Sequence, residues 1–211
     1  ISNMKNVMGC DPERIIRISP EDGYHYFFGY YDIPALTPDD RYHLSNRVRF
    51  MDRLQTPDDI NELGILDMQT GRFHVFAESR AWNFQQGSLL QWRGNGAQEV
   101  VYNTYENGAY HAVVQNVWNG KRQLFDYPIA NVSPDGRYGV CVNMSRIFDF
   151  RPGYGYCNLK DPWREVNVPA DDGLRLLDFE TGKSRLLFSY RDLEEQLVSE
   201  PEFKGSKIVI N

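Results

Sequence analysis

Two short turn sequences each occur twice in the chain, and their spacing is the strongest constraint on the fold. The sequence LTPDDRY at residues 36–42 recurs as VSPDGRY at residues 132–138. The sequence LDMQTGR at residues 66–72 recurs as LDFETGK at residues 177–183, with a degenerate copy, VWNGKR, at residues 117–122. A repeat of about 48 residues fits these spacings, and about 40–50 residues is the size of one four-stranded propeller blade.

The repeated sequences have the composition of tight turns between β-strands. Proline presets φ at the second position of a turn, and Asp or Gly tolerates the conformation that follows. The Thr-Gly-Arg/Lys element, flanked by β-prone residues, is typical of a hairpin turn. Between the turns lie eight predicted strands, at residues 42–48, 64–68, 72–77, 99–104, 111–117, 138–143, 174–179 and 184–189. Residues 191–199 have helical spacing, with Leu193 and Leu197 four positions apart.

The sequence therefore predicts an all-β fold, a β-propeller of four-stranded antiparallel blades. We expect three complete blades at residues 31–79, 81–128 and 129–190, the third lengthened by an insertion between its second and third strands. Residues 206–211 are predicted as the first strand of a fourth blade. In the N-terminal segment, residues 1–30, the stretch at 14–18 is predicted as a strand that closes the ring.

The number of blades leads to a further expectation. Closed propellers have about 4–8 blades, which is more than this chain supplies. We therefore expect the chain to be the N-terminal part of a larger propeller. The alternative is an incomplete or four-bladed arrangement.

Charge and hydropathy exclude two classes of partner. The chain of 211 residues has 23 Lys and Arg against 29 Asp and Glu, a net charge of −6, so no nucleic-acid partner is expected. Its apolar runs are far shorter than the ~20 residues that cross a bilayer, so no membrane partner is expected either. We expect a soluble protein, and both a cytoplasmic and a processed secreted or periplasmic location remain open.

The repeats resemble those of bacterial TolB-like, WD40-like propellers. Three further sequences, GYYDIP at residues 29–34, AWNFQQG at 81–87 and RPGYGY at 151–156, resemble an uncharacterised bacterial propeller group with members that accompany glycan-related genes. A more distant similarity is to oligogalacturonate lyases, propellers that hold a divalent metal with His and Gln side chains.

The metal ligands of these lyases do not carry over to this chain. Its four histidines, His25, His43, His74 and His111, are scattered along the sequence. No cofactor is evident, and a divalent metal is expected only if its ligands lie beyond Asn211. Because the sequence also lacks a Gly-x-Ser-x-Gly elbow and an HExxH helix, it leaves open whether the protein is an enzyme.

The long loops of the predicted blades share one face, and function usually lies on such loops. Aromatic rings pack against the C–H faces of sugars, amides bond to hydroxyls, and arginine matches a carboxylate. The sequence thus predicts a polar ligand site that binds or processes a saccharide. Its predicted ligand-binding residues are Tyr30, Tyr31, Asp32, Arg47, Trp82, Gln85, Gln86, Arg146, Arg151, Tyr154 and Tyr156.

Several of these residues also have a purely structural interpretation. Tyr31 and Trp82 are also compatible with packing between blades, and Asp32 with capping a connector. Gln85 and Gln86 are also compatible with bonding to backbone groups at a tight connection, and residues 151–156 with an ordered loop. The alternative function is therefore a protein-interaction scaffold without catalytic activity, which uses the same face to hold a partner chain.

Overall fold

Three antiparallel sheets of four strands each make up the described part of the chain. The structure is a computed structural model, and it describes residues 16–197 and 199–210. The first sheet contains β1 (His25–Phe27), β2 (Tyr42–Val48), β3 (Asn61–Asp67) and β4 (Phe73–Ser79). The second contains β5 (Gln91–Trp92), β6 (Glu99–Glu106), β7 (Ala109–Asn116) and β8 (Arg122–Asp126). The third contains β9 (Ile129–Val132), β10 (Tyr138–Cys141), β11 (Gly173–Asp178) and β12 (Ser184–Ser189).

Helices are few and lie outside the sheets. The insertion between β10 and β11 contains α1 (Met144–Phe150), and β12 leads directly into α2 (Tyr190–Leu197). A single 3-10 turn follows at Pro201–Phe203. No helix in the described residues has the length and apolar character that a bilayer span requires. The predicted fold class, the eight predicted strands and the insertion are confirmed.

The first sheet begins earlier in the chain than the sequence indicates. Its edge strand β1 lies within the segment 1–30 that we expected to precede the blades, and it pairs with the end of β2. Residues near position 35 pair only with the start of β2, through a single bridge between Leu36 and His43. Two separate segments therefore share the edge of this sheet, because a turn at Tyr30–Ile33 interrupts it.

The two ends of the chain form no strand in the described residues. Residues 206–210 belong to no sheet, although Val209 and Ile210 pack against the apolar core between the second and third sheets. Residues 16–18 are not in a strand, and residues 14–15 lie outside the described part of the chain. The fourth blade and the ring-closing strand stay predictions.

The first repeated turn has the same hydrogen bonds in both copies. The Thr37 hydroxyl donates to Asp39 at 2.6 Å and accepts from the Tyr42 N–H at 3.0 Å. In the second copy, the Ser133 hydroxyl donates to Asp135 at 2.5 Å and accepts from the Tyr138 N–H at 2.9 Å. The Ser/Thr-Pro-Asp sequence therefore recurs because it closes the same turn in two blades.

The second repeated turn is closed by the side chain that precedes it. Asp67 accepts from the N–H groups of Gln69 and Thr70 at 2.8 and 3.2 Å. Asp178 in the third sheet and Asn116 in the second accept from their own i+2 and i+3 N–H groups in the same way. This Asx turn explains why a degenerate copy without aspartate still forms the hairpin.

We expect the ion pair between Arg41 and Asp67 to make the protein less stable at acid pH than near neutral pH. The Arg41 guanidinium, which donates to the carboxylate at 3.1 Å, lowers the pKa of Asp67 to about 2. The ordinary aspartate pKa is about 3.9, so this contribution is present above pH ~4 and is lost as the pH falls through ~2. In urea unfolding at pH 5 and pH 2.5, Asp67→Asn should lower the midpoint at pH 5 and reduce the drop between the two pH values.

The exposed Asp149 supplies the control for this experiment. Asp149→Asn should leave both the midpoint at pH 5 and the size of the drop close to those of the unaltered protein. An Asp67→Asn variant with the full acid-induced drop would contradict the assignment.

The apolar core lies between the sheets, in two layers. Leu44 and Leu63 of the first sheet pack with Val100 of the second in one layer. Val101 of the same strand β6 points to the other layer, where it packs with Leu177 of the third sheet. Because successive side chains of a strand alternate between faces, the central sheet contributes to both layers. The loop ends of adjacent sheets are thereby held next to one another.

Candidate functional site

Three loop segments meet on the face of the sheets that carries the long loops. They are residues 29–32, residues 83–87 and residues 151–156, which lie within the three sequences at 29–34, 81–87 and 151–156 that resemble the bacterial propeller group. Asn83, which is fully buried, donates from Nδ2 to the Tyr154 carbonyl at 2.9 Å and accepts from the N–H groups of Gln85 and Gln86. Gly29 lies so close to Gln86 that a Cβ built there would be 3.1 Å from its carbonyl oxygen. Side chains from distant sequence positions are therefore brought together here.

The side chains at this meeting point form an aromatic and basic surface. The Tyr30 and Tyr31 rings stack with centroids 4.5 Å apart, and Tyr31 is 91% exposed. The Arg151 guanidinium lies 4.2 Å from the centroid of the Tyr154 ring. We call these four residues the tyrosine–arginine patch. It presents ring faces, phenol hydroxyls and a guanidinium to solvent.

The electrostatics of the patch reflect how close its members lie. A hydrogen bond with the Tyr31 hydroxyl raises the pKa of the Tyr30 phenol above its ordinary value. The neighbouring Tyr154 hydroxyl and the positive charge of Arg151 act in the opposite direction. Tyr30 thus remains a protonated hydroxyl at neutral pH, able both to donate and to accept a hydrogen bond.

Two further predicted residues, Gln85 and Gln86, lie at the margin of the patch. Gln85 is exposed next to Gly153, whose built Cβ would be 3.8 Å from the Gln85 Cγ, and Gln86 is partly buried. Their backbone N–H groups bond to Asn83, and neither side-chain amide makes a hydrogen bond to another described residue. Asp32 is exposed and lines a separate cavity of about 610 Å³ between the inner edges of the sheets.

Three predicted ligand residues are fully buried, and we remove them from the candidate site. The Trp82 ring packs against Phe84, and its Nε1–H donates to the Asp59 carbonyl at 2.9 Å. The Tyr156 hydroxyl bonds to Asn103 at 2.9 Å inside the core. Arg146 forms an ion pair of 3.2 Å with Asp161, in which both side chains are 0% exposed. Their polar atoms serve the fold, because an unpaired buried polar group would be costly.

The Arg47 side chain is also bonded to neighbouring residues of the first sheet and of the segment before it. Its Nε lies 2.5 Å from the Glu62 carboxylate, and its Nη1 lies 3.5 Å from Asp22. The guanidinium also packs 3.9 Å from the centroid of the Tyr24 ring. Its contacts among the described residues are with the first sheet and the segment before it, so Arg47 is separate from the tyrosine–arginine patch.

The described residues do not fit a resident metal ion of the His-rich kind. They contain no group of three or more His, Cys, Asp or Glu side chains arranged to hold a metal. The Nδ1 atom of His111, for example, lies 3.3 Å from the Phe125 carbonyl oxygen and forms a hydrogen bond with it. No chemical step at the tyrosine–arginine patch is therefore assigned to a metal.

Comparisons with known proteins support the fold at the level of structure only. No protein-family model matches the sequence, and no curated protein sequence matches it at a significant level. An oligogalacturonate lyase in complex with manganese superposes with a TM-score of 0.54 at 14% identity, over 82% of this chain and 43% of the lyase.

Two TolB structures also match, with lower scores. TolB from Acinetobacter baumannii has a TM-score of 0.44 at 12% identity, over 74% of this chain and 31% of that one. A putative TolB from Agrobacterium tumefaciens has a TM-score of 0.43 at 16% identity, over 72% and 47%. The chain spans less than half the length of each of these structures. Three consecutive four-stranded sheets, together with the likeness to the lyase, identify the fold as that of a β-propeller.

Proposed function

We propose that the protein binds a saccharide at the tyrosine–arginine patch and prefers one that carries a carboxylate. The observation that carries the proposal is the stacked pair of Tyr30 and Tyr31 beside Arg151, with Tyr31 91% exposed. An exposed aromatic pair of this kind is available to a ligand, because its rings are not used to fill the core. Rings with hydroxyls at their edges suit a sugar, which has both apolar C–H faces and polar groups.

The charge of Arg151 supports the preference for an acidic sugar. Arg151 forms no ion pair with a described residue, and its guanidinium packs on the Tyr154 ring. A guanidinium presents a planar pair of N–H donors that matches the two oxygens of a carboxylate. A uronate carboxylate would thus meet Arg151 while its ring packs on Tyr31.

We expect an acidic oligosaccharide to bind more tightly than a neutral one of the same length. The name of the structurally similar oligogalacturonate lyase makes tri-galacturonate the first probe and maltotriose the neutral comparison. In isothermal titration calorimetry, Tyr31→Ala should weaken the binding of tri-galacturonate about tenfold, which corresponds to a loss of about 1.4 kcal/mol of binding free energy. Arg151→Gln should weaken the binding of tri-galacturonate by about tenfold or more and leave the affinity for maltotriose unchanged.

Trp118→Ala provides the matched control. Trp118 is 55% exposed, but it lies in the turn between β7 and β8, on the opposite face of the sheets. Its replacement should leave both titrations unchanged. Absence of binding by either saccharide, or equal affinities in the unaltered protein and both patch variants, would remove the proposal.

A second candidate function, the docking of a partner protein, is favoured by one apolar feature of the same face. Met51 and Leu54, in the loop between β2 and β3, are 66% and 59% exposed. Together with Phe27 and Phe84 they line a cavity of about 530 Å³. Exposed apolar patches of this kind often bind other proteins. Saccharide binding that survives Leu54→Ser would separate the patch from this docking surface.

A further inference from the structure

A groove between the second and third blades lies apart from the tyrosine–arginine patch and has a different composition. It has a volume of about 600 Å³ and is formed by the start of β7, the end of β8, the insertion after β10 and the start of β11. Apolar side chains such as Val142, Met144 and Leu159 make up much of its wall. Cavities of about 300–1,000 Å³ with apolar walls and a few polar groups are the usual sites of small ligands.

A buried carboxylate faces this groove without an ion-pair partner among the described residues. Asp172 lines the groove, is only 7% exposed, and accepts one hydrogen bond on Oδ2 from the Nδ2 of Asn143 at 2.7 Å. The same Nδ2 donates to Asp161 at 2.9 Å, but Asp161 is neutralised by Arg146. Asp172 forms no ion pair with any residue in the described ranges.

Burial raises the pKa of the Asp172 carboxyl, although the hydrogen bonds from Asn143 and the Gly173 backbone and the positive charge of Arg146 act in the opposite direction. A buried carboxylate is costly unless it is paired. A positively charged ligand group in the groove would supply the missing partner.

Two positive side chains line the same groove and are also unpaired. The Arg175 guanidinium lies 4.4 Å from the centroid of the Tyr127 ring and forms no ion pair with a described residue. Lys160 likewise has no ion-pair partner in the part of the chain that the structure describes. The groove, which Asp126 and Asp171 also line, therefore presents negative and positive groups that form no ion pair with one another. This arrangement is complementary to a ligand that carries both charges.

We infer that this groove binds a small zwitterion, a free α-amino acid with an apolar side chain. The ammonium group of the ligand pairs with Asp172, and its carboxylate pairs with Arg175 and Lys160. The apolar side chain of the ligand packs against the wall formed by Met144 and Leu159. This site is distinct from the tyrosine–arginine patch and does not depend on saccharide binding there.

Ligand variants test both charges of the zwitterion. The twenty common α-amino acids are screened against the purified protein by thermal shift, and those that raise the melting temperature are titrated by calorimetry. We expect at least one apolar amino acid to bind. Its N-acetyl derivative, which lacks the ammonium, and its amide, which lacks the carboxylate, should each bind at least tenfold more weakly, because each loses a charge-assisted hydrogen bond.

Protein variants test the residues. Asp172→Asn keeps the shape of the side chain and the hydrogen bond from Asn143 but removes the negative charge. Arg175→Gln removes the positive charge. Each variant should bind the amino acid at least tenfold more weakly than the unaltered protein. If Asp172→Asn does not fold, Arg175→Gln is the variant that tests the site, because the Arg175 guanidinium packs on the exposed Tyr127 ring. The control is Arg185→Gln, an exposed residue of β12 in the same sheet, and Tyr31→Ala should also have no effect.

Three results would overturn the inference. The first is a screen in which none of the twenty amino acids binds. The second is binding that Arg175→Gln leaves unchanged. The third is an amide or N-acetyl derivative that binds as well as its parent amino acid, since the groove would then recognise only one charge or none.

Discussion

Replacement of Arg146 by methionine is expected to lower the free energy of unfolding by about 3–5 kcal/mol, the usual cost of removing one partner of a buried ion pair. The side chains of Arg146 and Asp161 are both 0% exposed and lie 3.2 Å apart. Without the guanidinium, the Asp161 carboxylate would stay buried with hydrogen bonds from Asn143 and the Trp163 N–H but with no positive charge. That uncompensated charge is the main source of the loss.

Arg146 also satisfies backbone carbonyls that no other group reaches in the described structure. It donates from Nε to Ile208 at 2.7 Å, from Nη1 to Val166 at 3.2 Å and from Nη2 to Asn167. These bonds tie the insertion after β10 to residues 206–210. We therefore expect the loss of stability to be accompanied by faster hydrogen exchange in both segments, since their local opening would cost less.

Urea unfolding of matched variants measures this effect. The double variant Arg146→Met, Asp161→Leu should recover part of the loss, because it removes the unpaired charge and leaves only uncharged groups, the backbone carbonyls and the Trp163 N–H, without their partners. Arg164→Met is the control: Arg164 is 50% exposed and pairs loosely with Glu165 at 3.6 Å, so its loss should change stability by less than about 0.5 kcal/mol. An Arg146→Met variant within about 1 kcal/mol of the unaltered protein would contradict the assignment.

The turn sequences made most of the fold predictable. Residues 36–42 and 132–138 close the same turn with the same side-chain bonds, and Asp67 and Asp178 close the same hairpin. These interactions are local, so a few consecutive residues are enough to predict them. The position of β1 could not be predicted in this way, because its pairing with β2 depends on residues about 20 positions apart.

The candidate site was predictable only in part, for a reason that Arg146 and Arg151 illustrate. Both arginines follow β10 and look alike in sequence, yet one is fully buried and the other is exposed. The difference arises from Asp161, a partner 15 positions from Arg146 that sequence alone does not pair with it. Aromatic residues show the same ambiguity, since Tyr31 is exposed whereas Trp82 is a core residue.

The groove between the second and third blades gave no signal in the sequence. Asp172 and Arg175 come from the start of β11, whereas Tyr127 follows β8 and Lys160 lies in the insertion. No motif links these positions, and only the packing of two sheets brings them to one cavity. Sites of this kind become visible when unpaired charges are considered together with burial.

Truncation of Trp82 to alanine is expected to cost about 3–5 kcal/mol of stability, as for other large buried aromatic residues. The Trp82 ring is 0% exposed and contacts the rings of Phe27, Phe50 and Phe84 with centroid distances of 6.2, 6.0 and 4.9 Å. Alanine would leave a cavity among these rings and would also remove the bond from Nε1 to the Asp59 carbonyl.

The milder variant Trp82→Phe separates the structural function of this residue from ligand binding. It keeps a ring among the neighbouring rings and loses the indole N–H, so we expect a loss of about 1–3 kcal/mol, in the range of a carbonyl left without its donor. Because the Trp82 side chain is 0% exposed and packs among other aromatic rings, the affinity of Trp82→Phe for tri-galacturonate should stay within about twofold of the unaltered protein, against the tenfold loss expected for Tyr31→Ala. Stability is measured by urea unfolding and affinity by calorimetry at a temperature where the variant is folded. A Trp82→Phe variant that unfolds like the unaltered protein but fails to bind the saccharide would return Trp82 to the ligand site and contradict its assignment to the core.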